Sequence, residues 1–144
     1  MLSKSSEYAI KAMIYIAQAS NTKNIGVAEI AKGINAPQPF TAKILQNLTK
    51  QKILRSIKGP KGGFYLTAPD LKQSIAKIIY AIDGKVTFNK CVLGLHNCSE
   101  EKPCPLHHEY KKIKIDIINM IEKNTLADFV SKLNSGEIYL KAIQ

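Results

Sequence analysis

The chain has 144 residues, of which 45% are hydrophobic, so it is long enough to bury the core of one ordinary domain. It shows no run of about 18 apolar residues and no signal-peptide pattern, and we therefore expect a cytoplasmic protein rather than a membrane or secreted one. The net charge of +10 is uneven: residues 1–90 carry 14 Lys and Arg against four acidic residues, whereas residues 91–144 carry seven of each. A basic part joined to a neutral part favours a module that binds a polyanion, with simple solubility as the alternative.

The first half of the chain begins with three predicted helices. Apolar residues at helical spacing predict a helix over 6–19, with Ser6 as a candidate N-cap. A short helix ends at Gly33, and the next accepts Pro39 in its first turn and runs to about Lys52. We expect this third helix to face inward through Phe40, Ile44, Leu45 and Leu48.

Two β-like runs follow these helices. Residues 53–58 and 64–67 flank the segment Gly59-Pro60-Lys61-Gly62-Gly63, which predicts a β-hairpin with a longer loop. Helix, helix–turn–helix and hairpin in that order are typical of a winged helix-turn-helix module. The sequence therefore predicts a mainly α fold with a small β-hairpin wing, in which a winged helix-turn-helix is joined to a long dimerisation helix.

The second half is predicted to be helical on both sides of a cysteine-bearing loop. A helix over 71–82 closes at Asp83-Gly84, Pro105 can open a long helix to about Lys123, and Thr125 with Asp128 resembles a capping box for a last helix. We expect three parts. Residues 1–68 form the DNA-binding domain, 69–103 a connecting helix and the cysteine loop, and 104–144 the dimerisation helix with a C-terminal helix packing back on the DNA-binding domain.

The long helix carries more apolar surface than packing on one side requires. One row of its side chains steps by 4, 3, 4 and 3 residues, as in the seam of a coiled-coil pair, and comprises Leu106, Tyr110, Ile113, Ile117 and Met120. Ile115, Ile118 and Ile121 widen this face. The pattern predicts a twofold homodimer, with a monomeric core helix as the alternative.

The third helix and the hairpin supply the candidate DNA contacts. A recognition helix places its N-terminal residues against base edges in the major groove, where Gln can pair with adenine and Lys can donate to guanine. A glycine-rich tip with lysines suits phosphate or the minor groove. The candidates, expected to be exposed, are Gln38, Pro39, Thr41 and Lys43, with Gln46 and Asn47 further along the helix, and Arg55, Lys58 and Lys61 in the hairpin. We expect double-stranded DNA with a palindromic operator as the partner; the alternative is a protein-docking module.

All three cysteines fall within a 14-residue window, as Cys91-x6-Cys98-x5-Cys104-x2-His107. An odd number excludes full internal disulfide pairing. Structural zinc sites usually use ligands in close pairs, and no Cys-x-x-Cys occurs here, whereas widely spaced thiolates on a loop can hold an iron–sulfur cluster. A cluster is favoured, while thiol redox sensing and a zinc site stay open.

Several segments combine in a familiar pattern. They are residues 7–10, 27–31, 43–48 and 58–66, Asp83-Gly84, the three cysteines with Cys104-Pro105-Leu106-His107, and residues 125–128. With these segments the chain resembles the Rrf2 family of bacterial transcriptional regulators, over nearly its whole length. Ala42 and Pro39 depart from the family pattern in the recognition helix, so an operator sequence cannot be transferred.

The resemblance implies a cofactor and its ligands. The three cysteines would hold an iron–sulfur cluster, with 2Fe–2S favoured and 4Fe–4S as the alternative. The fourth ligand would be His107, as in IscR-like members, or an acidic residue near the N-terminus of the partner subunit, as in NsrR-like members; Glu7 occupies about that position.

We therefore expect a homodimeric DNA-binding regulator that senses cluster status, nitric oxide or redox state. The alternative is a cluster-free winged-helix regulator that uses its cysteines as thiol sensors or in a structural zinc site. An enzyme is not expected, because the chain lacks a Cys-x-x-Cys pair, a phosphate-binding loop and an evident base–nucleophile pair beyond His107.

Overall fold

The computed structural model describes residues 2–20, 22–95 and 99–140. Six α-helices and one two-stranded sheet occur in these ranges, and they confirm the predicted mainly α fold with a hairpin wing. In chain order the elements are α1 (Lys4–Ala19), α2 (Val27–Gly33), α3 (Gln38–Lys50), β1 (Arg55–Ile57), β2 (Gly63–Tyr65), a 3-10 helix (Asp70–Lys72), α4 (Ile75–Asp83), a second 3-10 helix (Lys85–Asn89), α5 (His107–Lys123) and α6 (Leu126–Ser135).

Helix α1 begins two residues earlier than its predicted start. Ser3 is the N-cap, and its side chain accepts a hydrogen bond from the backbone N–H of Ser6 at 3.0 Å. The assignment of Ser6 as the cap was wrong, because Ser6 lies inside the helix on its buried face.

Helices α2 and α3 form the helix–turn–helix. The turn includes Asn35 with φ of 55°, a left-handed conformation that Asn tolerates, and Pro39 lies in the first turn of α3 as predicted. Ile44, Leu45 and Leu48 are buried as predicted. Phe40 is not: its side chain is 37% exposed and packs edge-on against Tyr8, with ring centroids 5.5 Å apart.

The wing is a short antiparallel hairpin that is hydrogen-bonded to the body of the protein. Ser56 pairs with Phe64, and Phe64 also exchanges two backbone hydrogen bonds with Ile25, of 2.7 and 3.0 Å. Gly63 has φ of +144°, and a Cβ there would lie 2.8 Å from the Ile25 backbone. Glycine is therefore required where the wing meets the chain that precedes α2.

One hydrophobic core joins the two halves of the chain. Residues of α1, α3 and α4 meet Ile121 from α5 and Leu126 from α6, both of which are buried. The predicted capping box of Thr125 and Asp128 is present at the start of α6, which packs against α1. Helix α5 begins at His107, two residues after the predicted Pro105. Among the described residues, no helix has the length and apolarity needed to cross a membrane.

Candidate DNA-binding surface and cysteine loop

The N-terminal part of α3 presents a polar surface to solvent. Gln38, Pro39 and Lys43 are exposed, as expected of residues that reach a base edge or phosphate. Thr41 is the exception: it is 1% exposed, and its Oγ1 donates to the Pro37 carbonyl at 2.9 Å. The expected exposure of Thr41 is therefore corrected, since its hydroxyl is used inside the turn.

The tip of the wing is a tight turn that carries exposed positive charge. Lys58 and Lys61 are both exposed, and in the same turn the Gly62 N–H donates to the Gly59 carbonyl at 2.9 Å. The Asn24 side-chain amide donates to the Lys61 carbonyl at 3.4 Å. The tip is thus held to the body while its ammonium groups remain in solvent.

Arg55 is oriented by an acidic residue that the sequence did not single out. Its Nε donates to Asp70 Oδ2 at 2.8 Å, and its guanidinium is about half exposed. Asp70 also accepts from the N–H and the hydroxyl of Thr67, each at 2.8 Å. Burial tends to raise the pKa of Asp70, but the hydrogen bonds from Arg55 and Thr67 outweigh it and leave the pKa below its ordinary value. The role of Asp70 could have been anticipated from the spacing Thr67-x-x-Asp70, which is typical of a side-chain cap.

Cys91 and Cys104 come together in the structure. Cys91 is buried and Cys104 is partly buried. The backbone N–H of Leu93 lowers the pKa of the Cys91 thiol most strongly; burial opposes this, and the Cys104 side chain lowers it further. The N–H groups of Leu95 and Gly94 act in the same direction. This loop therefore stabilises a thiolate, the form that binds iron. Cys98 lies outside the described residues.

The other predicted metal ligands lie at α5 and α1. His107 is 4% exposed, and its Nε2 lies 3.4 Å from Glu100 Oε1. Ligand atoms of Glu100, His107 and His108 all lie within 4.8 Å of one another, a grouping that sequence reasoning missed. Glu7 lies in the first turn of α1 and pairs with Lys4 at 3.3 Å.

The cysteine loop is tied to α1 through the end of α4. Asp83 ends α4, immediately before the 3-10 helix that leads to Cys91. Its carboxylate accepts hydrogen bonds of 2.7 Å from the hydroxyls of Ser3 and Ser6. The start of the cysteine-bearing connection is therefore fixed at the N-terminus of the helix that bears Glu7.

These elements define a winged-helix DNA-binding protein. The model of the Rrf2 family, described as "Iron-dependent Transcriptional regulator", matches residues 2–132. The chain belongs to the Rrf2 family of transcriptional regulators. The identification made from its sequence is thus confirmed, and so is the expectation that it is not an enzyme.

Named relatives and solved structures agree with this membership. An Aquifex aeolicus protein provisionally named as an HTH-type transcriptional regulator is 34% identical, covering 86% of this chain and 87% of its own length. The HTH-type transcriptional regulator NsrR of Oceanobacillus iheyensis is 25% identical, over 90% of this chain and 88% of its own. The fold is similar to that of T. potens IscR (TM-score 0.74, 20% identity, 96% of this chain and 92% of that one). It is equally similar to that of CymR, the global cysteine regulator of B. subtilis (TM-score 0.75, 19% identity, 91% and 96%).

Proposed function

We propose that this protein is a homodimeric regulator whose operator binding depends on an iron–sulfur cluster held by Cys91, Cys98 and Cys104. The observation that carries the proposal is the buried, thiolate-stabilising position of Cys91 beside Cys104. These two residues fit a cluster, because its irons prefer thiolate ligands. When bound, such a group supplies iron–thiolate bonds that oxidants or nitric oxide can attack. The fourth ligand would be His107 or Glu7 of the partner subunit.

The fold suggests how DNA is contacted. Gln38 and Lys43 on α3 would face the major groove, with Pro39 shaping the first turn beside it. Lys58 and Lys61 would approach phosphate or the minor groove. Arg55 would contribute a charge whose direction is set by Asp70. Thr41 would act indirectly, by fixing the start of α3.

Helix α5 supports the dimer. Leu106, Ile113 and Met120 are spaced by seven residues and are 42%, 55% and 47% exposed. A row of large apolar side chains in solvent is costly, and a second α5 would cover it. Two protomers related by a twofold axis match a palindromic operator with half-sites about one helical turn apart.

The connection between α4 and α5 offers a route for signalling. It bears the cysteines, and Asp83 anchors its first end to α1 in the DNA-binding part, residues 1–68. Its second end leads into α5, in the dimerising part, residues 104–144. A change of cluster state in this connection, which includes the segment 69–103 and Cys104, would alter how the two DNA-binding parts are spaced. Transcriptional control of this kind would take place in the cytoplasm.

Anaerobic reconstitution tests the cluster and its coupling together. We expect visible iron–thiolate absorption in the wild-type protein and its loss in Cys104→Ser, with Ser99→Ala, a change in the same loop, as the matched control. Operator affinity should differ between the reconstituted and iron-free proteins. A colourless, iron-free protein after reconstitution would contradict the cluster, and equal operator affinity would contradict the coupling.

A second candidate function is thiol sensing without a cluster, favoured by the adjacent side chains of Cys91 and Cys104. A peroxide could oxidise the two thiols to a disulfide, with two electrons and two protons passing to the peroxide to form water. In that case iron-free protein would change its DNA affinity on peroxide treatment, and a dithiol would reverse the change. A structural zinc site would instead bind metal without visible absorption and without a redox response.

A further inference from the structure

Beside the cysteine loop lies a group of metal-ligating side chains that contains no thiol. We propose that Glu100, His107 and His108 bind a divalent transition-metal ion of the Fe²⁺ or Zn²⁺ type. The site goes beyond the proposed cluster, since none of its three ligands is a cysteine. The three ligands are therefore present whether or not the cysteines hold iron, although a cluster that used His107 would compete for that residue.

The spacing of the ligand atoms supports the site. Donor atoms bound to one ion at about 2.0–2.2 Å lie roughly 3–3.5 Å from each other. His107 Nε2 and Glu100 Oε1 are already 3.4 Å apart, and the whole group falls within 4.8 Å. A small movement of one exposed side chain, that of Glu100 or His108, would bring the three ligand atoms to the separations that a bound ion requires.

The local fold explains how two consecutive histidines can face one ion. Neighbouring side chains on a helix diverge by about 100°. His107 and His108 are the first two residues of α5, where their rings meet edge-to-face with centroids 5.2 Å apart. His107 is buried, whereas His108 and Glu100 are exposed and can adjust. The buried His107 thus offers one ligand in a constrained position, and the side chains of His108 and Glu100 can move to complete the site around it.

The donor types select the class of ion. Two imidazoles with one carboxylate suit Fe²⁺, Zn²⁺ or Co²⁺ and leave positions open to water. Mg²⁺ and Ca²⁺ prefer oxygen ligands and would be bound poorly. A borderline transition-metal ion is therefore the expected occupant.

Lys111 supplies a built-in competitor. Its ammonium contacts Glu100 Oε1, the same oxygen that faces His107. An incoming cation must displace this lysine, which lowers the affinity that the three ligands would otherwise provide. Removing the ammonium should consequently tighten binding, an effect that a purely structural ion pair would not predict.

The position of the site implies competition with a cluster. The Nε2 atom of His107 can serve one metal at a time, so a divalent ion there excludes His107 as fourth ligand of a cluster. Glu100 belongs to the loop and the histidines to α5, so an ion would also fasten the loop to the helix. A divalent metal would thus act as a second effector on the same connection.

The test uses Co²⁺ as the probe with the full chain carrying Cys91→Ser, Cys98→Ser and Cys104→Ser, which removes every thiol ligand. We expect one Co²⁺ per chain by calorimetry and visible absorption. Glu100→Gln or His108→Ala should weaken binding at least tenfold, while Lys111→Met should tighten it. Glu101→Gln, an exposed neighbour outside the group, should change nothing. Undiminished binding in Glu100→Gln and His108→Ala, or no binding at all, would overturn the proposal.

A second measurement covers the case in which the triple variant does not fold. Iron-free wild-type protein is titrated with Mn²⁺, which suits carboxylate ligands and is poorly matched to thiolates. Paramagnetic broadening of the His107 and His108 ring signals, abolished by Glu100→Gln, supports the site. Absence of that broadening, or broadening that persists in Glu100→Gln, counts against it.

Discussion

The Ser6 hydroxyl donates a 2.7 Å hydrogen bond to the carboxylate of Asp83, although 77 residues separate them in the chain. Ser3 donates to the same carboxylate. A negative charge at a helix N-terminus is favourable, because it complements the unsatisfied N–H groups of the first turn. The contact therefore stabilises α1 and, at the same time, fixes the point from which the cysteine-bearing connection departs.

Replacing the charge in this contact should destabilise the fold. We expect Asp83→Asn to lower the free energy of unfolding by about 1–2 kcal/mol, since hydrogen bonds to a charged acceptor contribute on this scale. Urea unfolding followed by circular dichroism measures the change. Asp116→Asn, on the exposed surface of α5, is the control. An Asp83→Asn protein as stable as the control would show that the contact contributes nothing.

The Asp70 contact should make wing stability depend on pH. Its folded-state pKa is lowered, so its contribution is present above the unfolded pKa of about 3.9 and is lost as the pH falls through the lower folded value. Asp70→Asn should cost about 1–2 kcal/mol at pH 7 and progressively less at acid pH. Denaturant unfolding from pH 7, where Asp is fully ionised, down to about pH 2 measures the difference. A difference that stays constant with pH would exclude the carboxylate as its source.

Gly63→Ala should disrupt the wing. The added Cβ would meet the Ile25 backbone at 2.8 Å in a conformation with φ of +144° that alanine rarely adopts. We expect a loss of about 1–3 kcal/mol and weaker DNA binding. Gly26→Ala is the matched control, because nothing lies within 4 Å of its Cβ position. Equal stability of the two variants would contradict the close approach.

Ile113→Glu should separate the proposed dimer. Ile113 is 55% exposed in the seam. Ile115, which was expected to widen the same face, is 48% exposed but lies about 200° further around α5, on the side away from the seam, so that expectation was wrong for Ile115. Burying a carboxylate between two helices is unfavourable, so Ile113→Glu should be monomeric by light scattering while Ile115→Glu stays dimeric. Identical masses for both variants would place the interface elsewhere.

The lysines at the wing tip should contribute to DNA affinity through charge. Each of Lys58→Ala and Lys61→Ala should reduce the slope of log K against log salt by about 0.9 if the lysine neutralises one phosphate. Lys112→Ala, exposed on α5, should leave the slope unchanged. Fluorescence anisotropy with a labelled duplex provides the measurement, and unaltered slopes in the tip variants would remove the wing from the interface.

Sequence periodicity predicted the order of elements well, and two of its errors, at Thr41 and Ser6, share one cause. Thr41 precedes Ile44 by three residues and Leu45 by four, which places it on the buried face of α3. Ser6 likewise lies on the buried face of α1. In both cases the polar side chain suggested a surface or capping role, although its position dictated burial. A hydroxyl can be buried when a nearby acceptor satisfies it, and sequence alone does not show that acceptor.

The candidate site was predicted less completely, for a different reason. Helix spacing placed His107 near Cys104, but it could not reveal that Glu100 meets His107 or that Asp70 meets Arg55. Glu100 reaches His107 across irregular backbone, and Asp70 reaches Arg55 from beyond the hairpin, so no single helical or strand period relates sequence separation to distance in either case. Only the folded chain shows these contacts.

Ile121 and Leu126 share the core that supports the recognition helix, and this has a mechanical consequence. Because the N-terminal and C-terminal parts of a protomer pack around the same core side chains, the protomer cannot bend easily between these two parts. In a dimer, the crossing angle of the paired α5 helices would then govern the distance between the two wings. A small rotation of the two α5 helices about the twofold axis would produce a larger displacement of the wings, which would lie farther from the axis and contact the DNA.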